Sequence, residues 1–235
     1  MAVFRYYQIV RKHILKRIES GELSPGSQLP SERTLCAELD LNRNTVRHAL
    51  QLLQREGQIF RLERRGWYVS TRRLVYNPAK HVNFARLASS QGFEARWTTK
   101  DNGVIEVSPE MEDEAGFPSG TNVYEMENDF FLDNQKVAHV VSHLHAERLK
   151  DIVPKTVSRA LTQVVQEEYG ISLLQRRLLI RPVLLHKQVT DMLGLSLGAP
   201  GLYVRRVKTD ERGAVLSVEQ EYWRYDAIEL RVDAE

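Results

Sequence analysis

The sequence predicts an α+β protein in two parts, a helical N-terminal third closed by a hairpin and a C-terminal domain built on an antiparallel sheet. Three observations carry this. The first 57 residues repeat their apolar positions at helical spacing, the rest of the chain is dominated by alternating or β-branched runs, and the charge divides near Arg73. A length of 235 residues suits two domains of roughly 100 residues or a little more. At 42% hydrophobic and 27% charged, the composition is that of a folded chain with a core for each part.

In the N-terminal third, Tyr6, Ile9, Val10, Ile14 and Ile18 fall three or four apart, with Arg11, Lys12, Lys16 and Arg17 on other faces, which predicts an amphipathic helix ended by Gly21. Pro25-Gly26 and Pro30 mark a turn-rich connection. Ser31 is placed to cap a second helix that stops near Asp40. After a short break around Leu41, Asn42 caps a third helix from Arg43 to Glu56, with Val46, Ala49, Leu50 and Leu53 inward. Arg64-Arg65-Gly66 then reads as the turn between two short strands within Ile59–Val69.

Helix, helix, turn, helix, hairpin is the winged helix-turn-helix order, in which the third helix enters the major groove of DNA by its N-terminal residues. Those residues are Asn42, Arg43, Asn44, Thr45 and Arg47. An arginine fork matches guanine and an asparagine amide matches adenine, so the run is equipped to read base edges. Arg33, Arg64 and Arg65 suit phosphates or the minor groove. Any one of these arginines alone is an ordinary surface charge; their joint placement singles them out. Charge agrees, since residues 1–73 hold 14 Lys and Arg against 7 Asp and Glu, a net of +7, and the remainder is net −5. A compact basic part beside a mildly acidic one suits a polyanion partner for the first.

Other classes find less support. No apolar run approaches the roughly 20 residues of a membrane span, and the first 20 residues carry charge where a signal peptide needs an apolar stretch, so the expectation is a cytoplasmic protein without a membrane partner. A single cysteine, Cys36, excludes an internal disulfide and a thiolate metal site and is expected as a small core residue. No cofactor and no metal are expected.

Tyr7-Gln8-Ile9, Gly21 to Gly26, Leu29-Pro30-Ser31-Glu32-Arg33, Asn42 to Arg47, Ala49-Leu50 and Leu52 through Glu56-Gly57 together resemble the DNA-binding domain of GntR-family bacterial transcription regulators. The resemblance covers about 65 residues in order. It implies that Arg33, Arg43, Asn44 and Arg47 contact DNA, with Gly66 at the wing tip. Two departures concern the operator sequence: Asn42 and Asn44 stand where the family often has Ser or Thr, and Trp67-Tyr68 where Thr-Phe is common. The domain reading is a DNA-binding domain over 1–71, a linker over 72–77 and a second domain over 78–235.

Beyond the linker, Asn83 is placed to cap a short helix, Phe84 to Ser90. Strands are expected at Val104–Val107, Asn122–Leu132, Lys136–His145, Leu178–Leu185, Leu202–Thr209 and Val215–Trp223, with helices at Val157–Tyr169 and Lys187–Leu193. Asp133-Asn134-Gln135 is the expected hairpin turn. Ser108-Pro109, Gly120 to Tyr124, Glu168-Tyr169-Gly170, Leu193-Gly194-Leu195 and Tyr222-Trp223-Arg224 resemble the UTRA effector domain of the HutC-type branch of the same family. That resemblance implies a small-molecule effector pocket, a homodimer formed largely through this domain, and a fold similar to that of chorismate lyase. It leans toward the phosphonate-utilisation members of the branch.

Relatives that bind sugar phosphates or related anions use the amides at the start of the first helix of this domain, which here means Asn83, Phe84, Ala85 and Arg86; helix N-termini suit anions because free amides and the dipole both point there. Asn128 and Phe130 occupy the strand on which those relatives carry an arginine pair, and Val140 lies near the place of their carboxylate. The expectation is therefore a different effector, or an anion held by Arg177 and Arg181. His139, His143 and His145 share one strand face opposite Ala138, Val140, Ser142 and Leu144, and could line the pocket, although same-face neighbours about 7 Å apart do not bring three imidazoles onto one ion. Glu219 and Tyr222 are further pocket candidates, and Arg205-Arg206 reads as surface charge. The expected function is a DNA-binding regulator, a repressor acting on double-stranded operator DNA under control of an anionic, phosphonate-type effector. The alternatives are a lyase-like enzyme, against which no nucleophile-base pair or Gly-rich phosphate loop is found, and a constitutive DNA-binding protein with a structural C-terminal domain.

Overall fold

A computed structural model describes residues 3–78 and 83–232. The chain divides into two compact units, Met1–Arg73 with Gly194–Leu197, and Leu74–Leu193 with Gly198–Glu235.

The N-terminal unit runs α1 (Val3–Glu19), α2 (Glu32–Leu39), α3 (Arg43–Arg55), β1 (Ile59–Leu62) and β2 (Gly66–Val69). Both caps expected from the sequence form: the Ser31 hydroxyl accepts from the Thr34 amide at 3.1 Å, and the Asn42 side chain accepts from the Thr45 amide at 2.9 Å. Asp40 ends α2 in the left-handed conformation, which turns the chain sharply into α3. Val10 and Ile14 of α1, Leu35 of α2, Val46, Ala49, Leu50 and Leu53 of α3, and Ile59, Trp67 and Val69 of the hairpin form one core. Each such side chain contributes about 1.5–3 kcal/mol by its burial. Cys36 packs, partly buried, against this core.

The C-terminal unit runs β3 (Leu74–Tyr76), α4 (Phe84–Ser90), β4 (Ala95–Glu106), a 3-10 turn (Pro109–Met111) leading into α5 (Glu112–Ala115), β5 (Asn122–Leu132), β6 (Gln135–His145), α6 (Val153–Thr156), α7 (Leu161–Tyr169), β7 (Leu174–Leu184), α8 (Lys187–Leu193), β8 (Pro200–Thr209), β9 (Val215–Arg224) and β10 (Ile228–Leu230). Six strands make an antiparallel sheet in the order β4-β5-β6-β9-β8-β7. The hairpin between β5 and β6 turns on Asp133 and Asn134, both at positive φ, which is the two-residue turn suited to strand twist.

Three local expectations change. Residues 74–76, expected as linker, form β3, which pairs in parallel with β10; Leu74 and Tyr76 are buried there because alternate side chains reach the core. The first nine residues of β4 were absent from the expected strand, since Arg96, Thr98, Lys100 and Asp101 give this edge strand a polar sequence. The helix expected at 157–169 begins only at Leu161, as α7, and residues 157–160 form a bend that follows the short α6.

Side chains of even number on β5 up to Phe130 and on β6 from Ala138 share one sheet face with Glu219, Glu221 and Trp223 of β9. Two apolar clusters lie on that face: Leu74, Ala88, Phe93, Val204 and Trp223 at one end, and Leu144, Leu149, Ile152, Val164 and Leu216 at the other. Val107, Ala115, Phe117, Val123 and Val218 form a separate cluster.

Candidate functional site

In the N-terminal unit the start of α3 presents Asn42, Arg43 and Asn44 to solvent, with Thr45 and Arg47 half-buried beside them. Asn42 and Thr45 are tied to each other by the cap, the Thr45 hydroxyl also donating to Asn42 Oδ1 at 3.1 Å. Arg33 is exposed near the start of α2. Arg64 and Arg65 are exposed at the tip of the β1-β2 wing, where Arg64 adopts φ +59° and Gly66 φ +100°. The tip is held from below, because Gln28 Nε2 donates to the Arg65 carbonyl at 2.6 Å and the Leu29 amide donates to the Trp67 carbonyl at 2.8 Å.

The Glu32 carboxylate is the electrostatic centre of this face. Arg47 donates to it through Nη2 at 2.9 Å and Nε at 3.4 Å, and Arg43 through Nε at 3.0 Å. The Arg47 bonds act first, against burial and with Arg43 and the Trp67 indole, and hold the Glu32 carboxyl down at about 2. Arg43 remains 71% exposed while Glu32 is only 14% exposed, so the guanidinium faces outward from a carboxylate set into the surface. Two arginines share one carboxylate, and the face keeps a positive excess.

In the C-terminal unit a cavity of about 150 Å³ lies over the sheet face that carries the even-numbered residues of β5 and β6. Of the residues singled out in the sequence, Asn83, Phe84, Ala85, Asn128, Phe130 and Glu219 line it. Asn83 also caps α4, accepting from the Arg86 amide at 3.1 Å. Asn128 is oriented by donating to the Thr99 hydroxyl at 2.8 Å and the Thr98 carbonyl.

Six other candidates fall outside the cavity. Arg86 points to solvent from α4 and Arg177 is exposed on the edge strand β7. His139, His143 and Tyr222 occupy the opposite parity, so the pleat turns them to the other sheet face. There His139 Nδ1 pairs with Asp129 at 2.9 Å, and burial, opposing the charge of Asp129, is outweighed by hydrogen bonds from His139 and Lys136 that keep its carboxyl below the usual range. Burial pushes the His143 pKa down, and the ring stands 3.4 Å from Glu125 without hydrogen-bond alignment. Tyr222 and Arg181 line a separate hollow with Tyr203, whose ring lies 4.8 Å from the Arg181 guanidinium carbon. Among the described residues no group of three or more His, Cys, Asp or Glu side chains could hold a metal ion, and no helix is long and apolar enough to cross a membrane.

What the sequence reading missed, apart from Glu219, is the polar wall of the cavity. Arg206, expected at the surface, is 7% exposed; its Nε donates to Glu221 at 2.8 Å and its Nη1 to the Tyr76 hydroxyl at 2.6 Å and to Gln175. Burial opposes its charge, but Glu221 and Glu219 prevail and raise its pKa. Lys208 donates to Glu219 at 2.6 Å, and the Trp223 indole to Glu221 at 2.8 Å. All of these except Gln175 line the cavity, with Trp97, Phe84 and Phe130 among its aromatic residues. The signal was present in the sequence as charges two apart on neighbouring strands, Arg206 with Lys208 and Glu219 with Glu221, each pair on a single face.

A winged helix-turn-helix with an exposed basic face and a sheet unit that encloses a cavity have the plan of a one-component regulator, with one unit suited to DNA and the other to an effector. The sequence matches the family described as "Bacterial regulatory proteins, gntR family" over residues 6–69 and the UTRA domain over residues 90–229, and the chain belongs to the GntR-family regulators with a UTRA effector domain. It is 28% identical over 217 residues to the HTH-type transcriptional regulator YihL of Escherichia coli, covering 92% of both chains. It is 24% identical to the HTH-type transcriptional repressor NagR of Bacillus subtilis, covering 94% of this chain and 90% of NagR. The crystal structure of PhnF from Mycobacterium smegmatis shares the fold, with a TM-score of 0.64 and 21% identity over 96% of this chain and 99% of that one. The protein is a DNA-binding transcriptional regulator whose activity is controlled by an effector, and its relatives named above are regulators, not enzymes.

Proposed function

We propose that the protein is a repressor that binds a palindromic operator as a homodimer and changes its operator affinity when a small acidic metabolite of the phosphonate type occupies the cavity of the C-terminal unit. In this reading Arg43, Asn44 and Arg47, with Asn42 and Thr45, meet base edges in the major groove, and Arg33, Arg64, Arg65 and Gly66 meet the backbone or the minor groove. The observation that carries it is the outward placement of Arg43 and Asn44 at the start of α3, on a unit of net charge +7. The named repressor NagR, a relative over nearly the whole chain, supports the direction of control. The sheet domain, on a plan similar to chorismate lyase, then serves ligand binding and dimerisation.

Footprinting of the full-length protein on the DNA beside its own gene tests the reading. Two protected half-sites, their centres about 34–36 Å or a multiple of that apart, are expected. A single unrepeated site together with a monomer in sedimentation overturns the dimer. Operator affinity unchanged by Arg43→Ala or Arg47→Ala overturns the base-reading role of α3.

A further inference from the structure

β3 is only three residues long, and its strand partner β10 is no longer. A ladder of that size is marginal by itself. The backbone groups of Leu74 and Tyr76 turn to β10, the Leu74 amide donating to the Ala227 carbonyl at 2.9 Å and the Tyr76 carbonyl accepting from the Arg231 amide at 3.0 Å. Those of Val75 face the other way, where this two-stranded sheet has no further strand. There the side chain of Gln91, the residue that caps the C-terminus of α4, stands in for one: its Oε1 accepts from the Val75 amide at 2.9 Å and its Nε2 donates to the Val75 carbonyl at 2.6 Å. A side-chain amide can do both, whereas a carboxylate only accepts, an ammonium only donates and a thioether does neither well. The two Gln91 bonds close the open edge of β3 and tie it to α4, whose Ala88 is buried in the same apolar cluster as Leu74 and Tyr76.

The chain enters the C-terminal unit at Leu74, directly after Arg73 of the N-terminal unit. Whatever holds β3 therefore fixes the point from which the preceding chain is tethered. Release of its three residues would lengthen that tether by up to about 10 Å at full extension. Tether length decides which separations two linked modules can span, and how high the effective concentration of the second is once the first is bound. Each base pair inserted between two DNA half-sites moves them apart by about 3.4 Å, so a short, fixed tether discriminates between spacings that a loosened one tolerates. We propose that Gln91 is a positioning residue for operator binding: by clamping Val75 it fixes the origin of the tether and makes the protein selective for one half-site spacing. The proposal rests on the reading of the protein as a homodimer that binds two half-sites.

The test uses full-length wild-type protein, Gln91→Met, which offers Val75 neither partner, and Gln91→Glu, which keeps the acceptor and loses the donor. Gel shifts at one salt concentration compare three duplexes: the footprinted operator, the same sequence with its half-sites moved apart by about two base pairs, and a single half-site. The wild type is expected to prefer the native spacing at least about tenfold, and Gln91→Met to reduce that preference at least about threefold while binding the single half-site unchanged. Hydrogen exchange should find the Val75 amide protected in the wild type and opened in Gln91→Met. Thermal melts report whether each variant remains folded; if Gln91→Met does not, Gln91→Glu is compared in its place. A folded variant with the wild-type spacing preference overturns the positioning role, as does a wild-type Val75 amide that exchanges as fast as an open one. A wild type that prefers the full operator to the half-site but binds both spacings equally overturns the spacing selectivity and leaves the two-site reading standing. Equal wild-type affinity for the full operator and the single half-site overturns the two-site reading and the spacing role with it, and the exchange result then still decides whether Gln91 holds β3.

Discussion

Two ionic clusters, one in each unit, are built from the same residue types and differ in balance and in exposure. At the face of α3 two arginines share the single carboxylate of Glu32, and both guanidiniums remain open to solvent. On the cavity wall two cations meet two carboxylates, and Arg206, Lys208 and Glu221 are each less than a tenth exposed. The first arrangement leaves positive charge available at low cost, because water still solvates the groups, which suits a partner as highly charged as a nucleic acid. The second must balance internally, because desolvation of an unpaired ion costs several kcal/mol. In the proposed reading, charge excess goes with the surface that meets a polyanion, and charge balance with the cavity that takes a small molecule.

The sharpest way to break this comparison is to unbalance the buried wall. Arg206→Met leaves Glu219 and Glu221 together on one face, and Tyr76 and Gln175 without their donor. The expected cost is about 3–5 kcal/mol of unfolding free energy, read from urea denaturation. Pairing it with Glu221→Leu should recover most of that loss, since a buried ion pair replaced on both sides is often nearly neutral. A single variant as stable as the wild type would show that the wall is not held by its charges.

The comparison also separates what the sequence could disclose from what it could not. Ser31, Asn42 and Asn83 were legible as caps because each acts on an amide three residues ahead, within one turn. The α3 face was legible for the same reason: helical periodicity puts Val46 and Leu50 inside and leaves Arg43 and Asn44 outside. In the sheet unit, parity within a strand was legible but the choice of face was not. His139 and His143 were placed together correctly, yet which face bears the cavity depends on what packs over the sheet from distant segments such as α4 and α7. Arg206 was read as surface charge because its partners lie 15 residues away on β9 and 130 away at Tyr76, separations that only strand register brings together. The early part of β4 was missed because an edge strand tolerates polar residues on both sides.

On the exposed cluster the expected effect falls on binding rather than on folding. Arg43→Ala and Arg47→Ala should each weaken operator binding by about 1–3 kcal/mol per half-site, the cost of a lost bidentate base contact. Thermal melts should move little for Arg43, since its side chain is mostly in solvent. A gel shift measured at two salt concentrations separates the roles: loss of a base contact lowers specific affinity and leaves the salt slope unchanged, whereas loss of a phosphate contact lowers the slope by roughly one. A lower slope with specificity intact would move Arg43 from base reading to backbone contact.

Glu32 joins the fold to the proposed DNA-reading arginines, and its effect should be the smallest of the three. Its carboxyl titrates at about 2 in the folded protein, against an ordinary value near 4.5, because the Arg47 and Arg43 hydrogen bonds favour the ionised form. A folded-state pKa below the unfolded one means that the stabilisation is fully present above about pH 4.5 and is lost as the pH falls toward 2. With both arginines partly in solvent, its size is on the order of 1–2 kcal/mol. Glu32→Gln should therefore cost about that much at neutral pH and flatten the stability profile between pH 4.5 and 2, as measured by urea midpoints across that interval. The same substitution removes the one carboxylate from between the two guanidiniums. Non-specific DNA affinity should rise with the added net charge, while the ratio of operator to non-specific affinity should fall, because Arg43 and Arg47 lose the anchor that fixes their direction. A variant with an unchanged ratio would show that the two arginines are oriented by DNA alone, and that Glu32 serves only the fold.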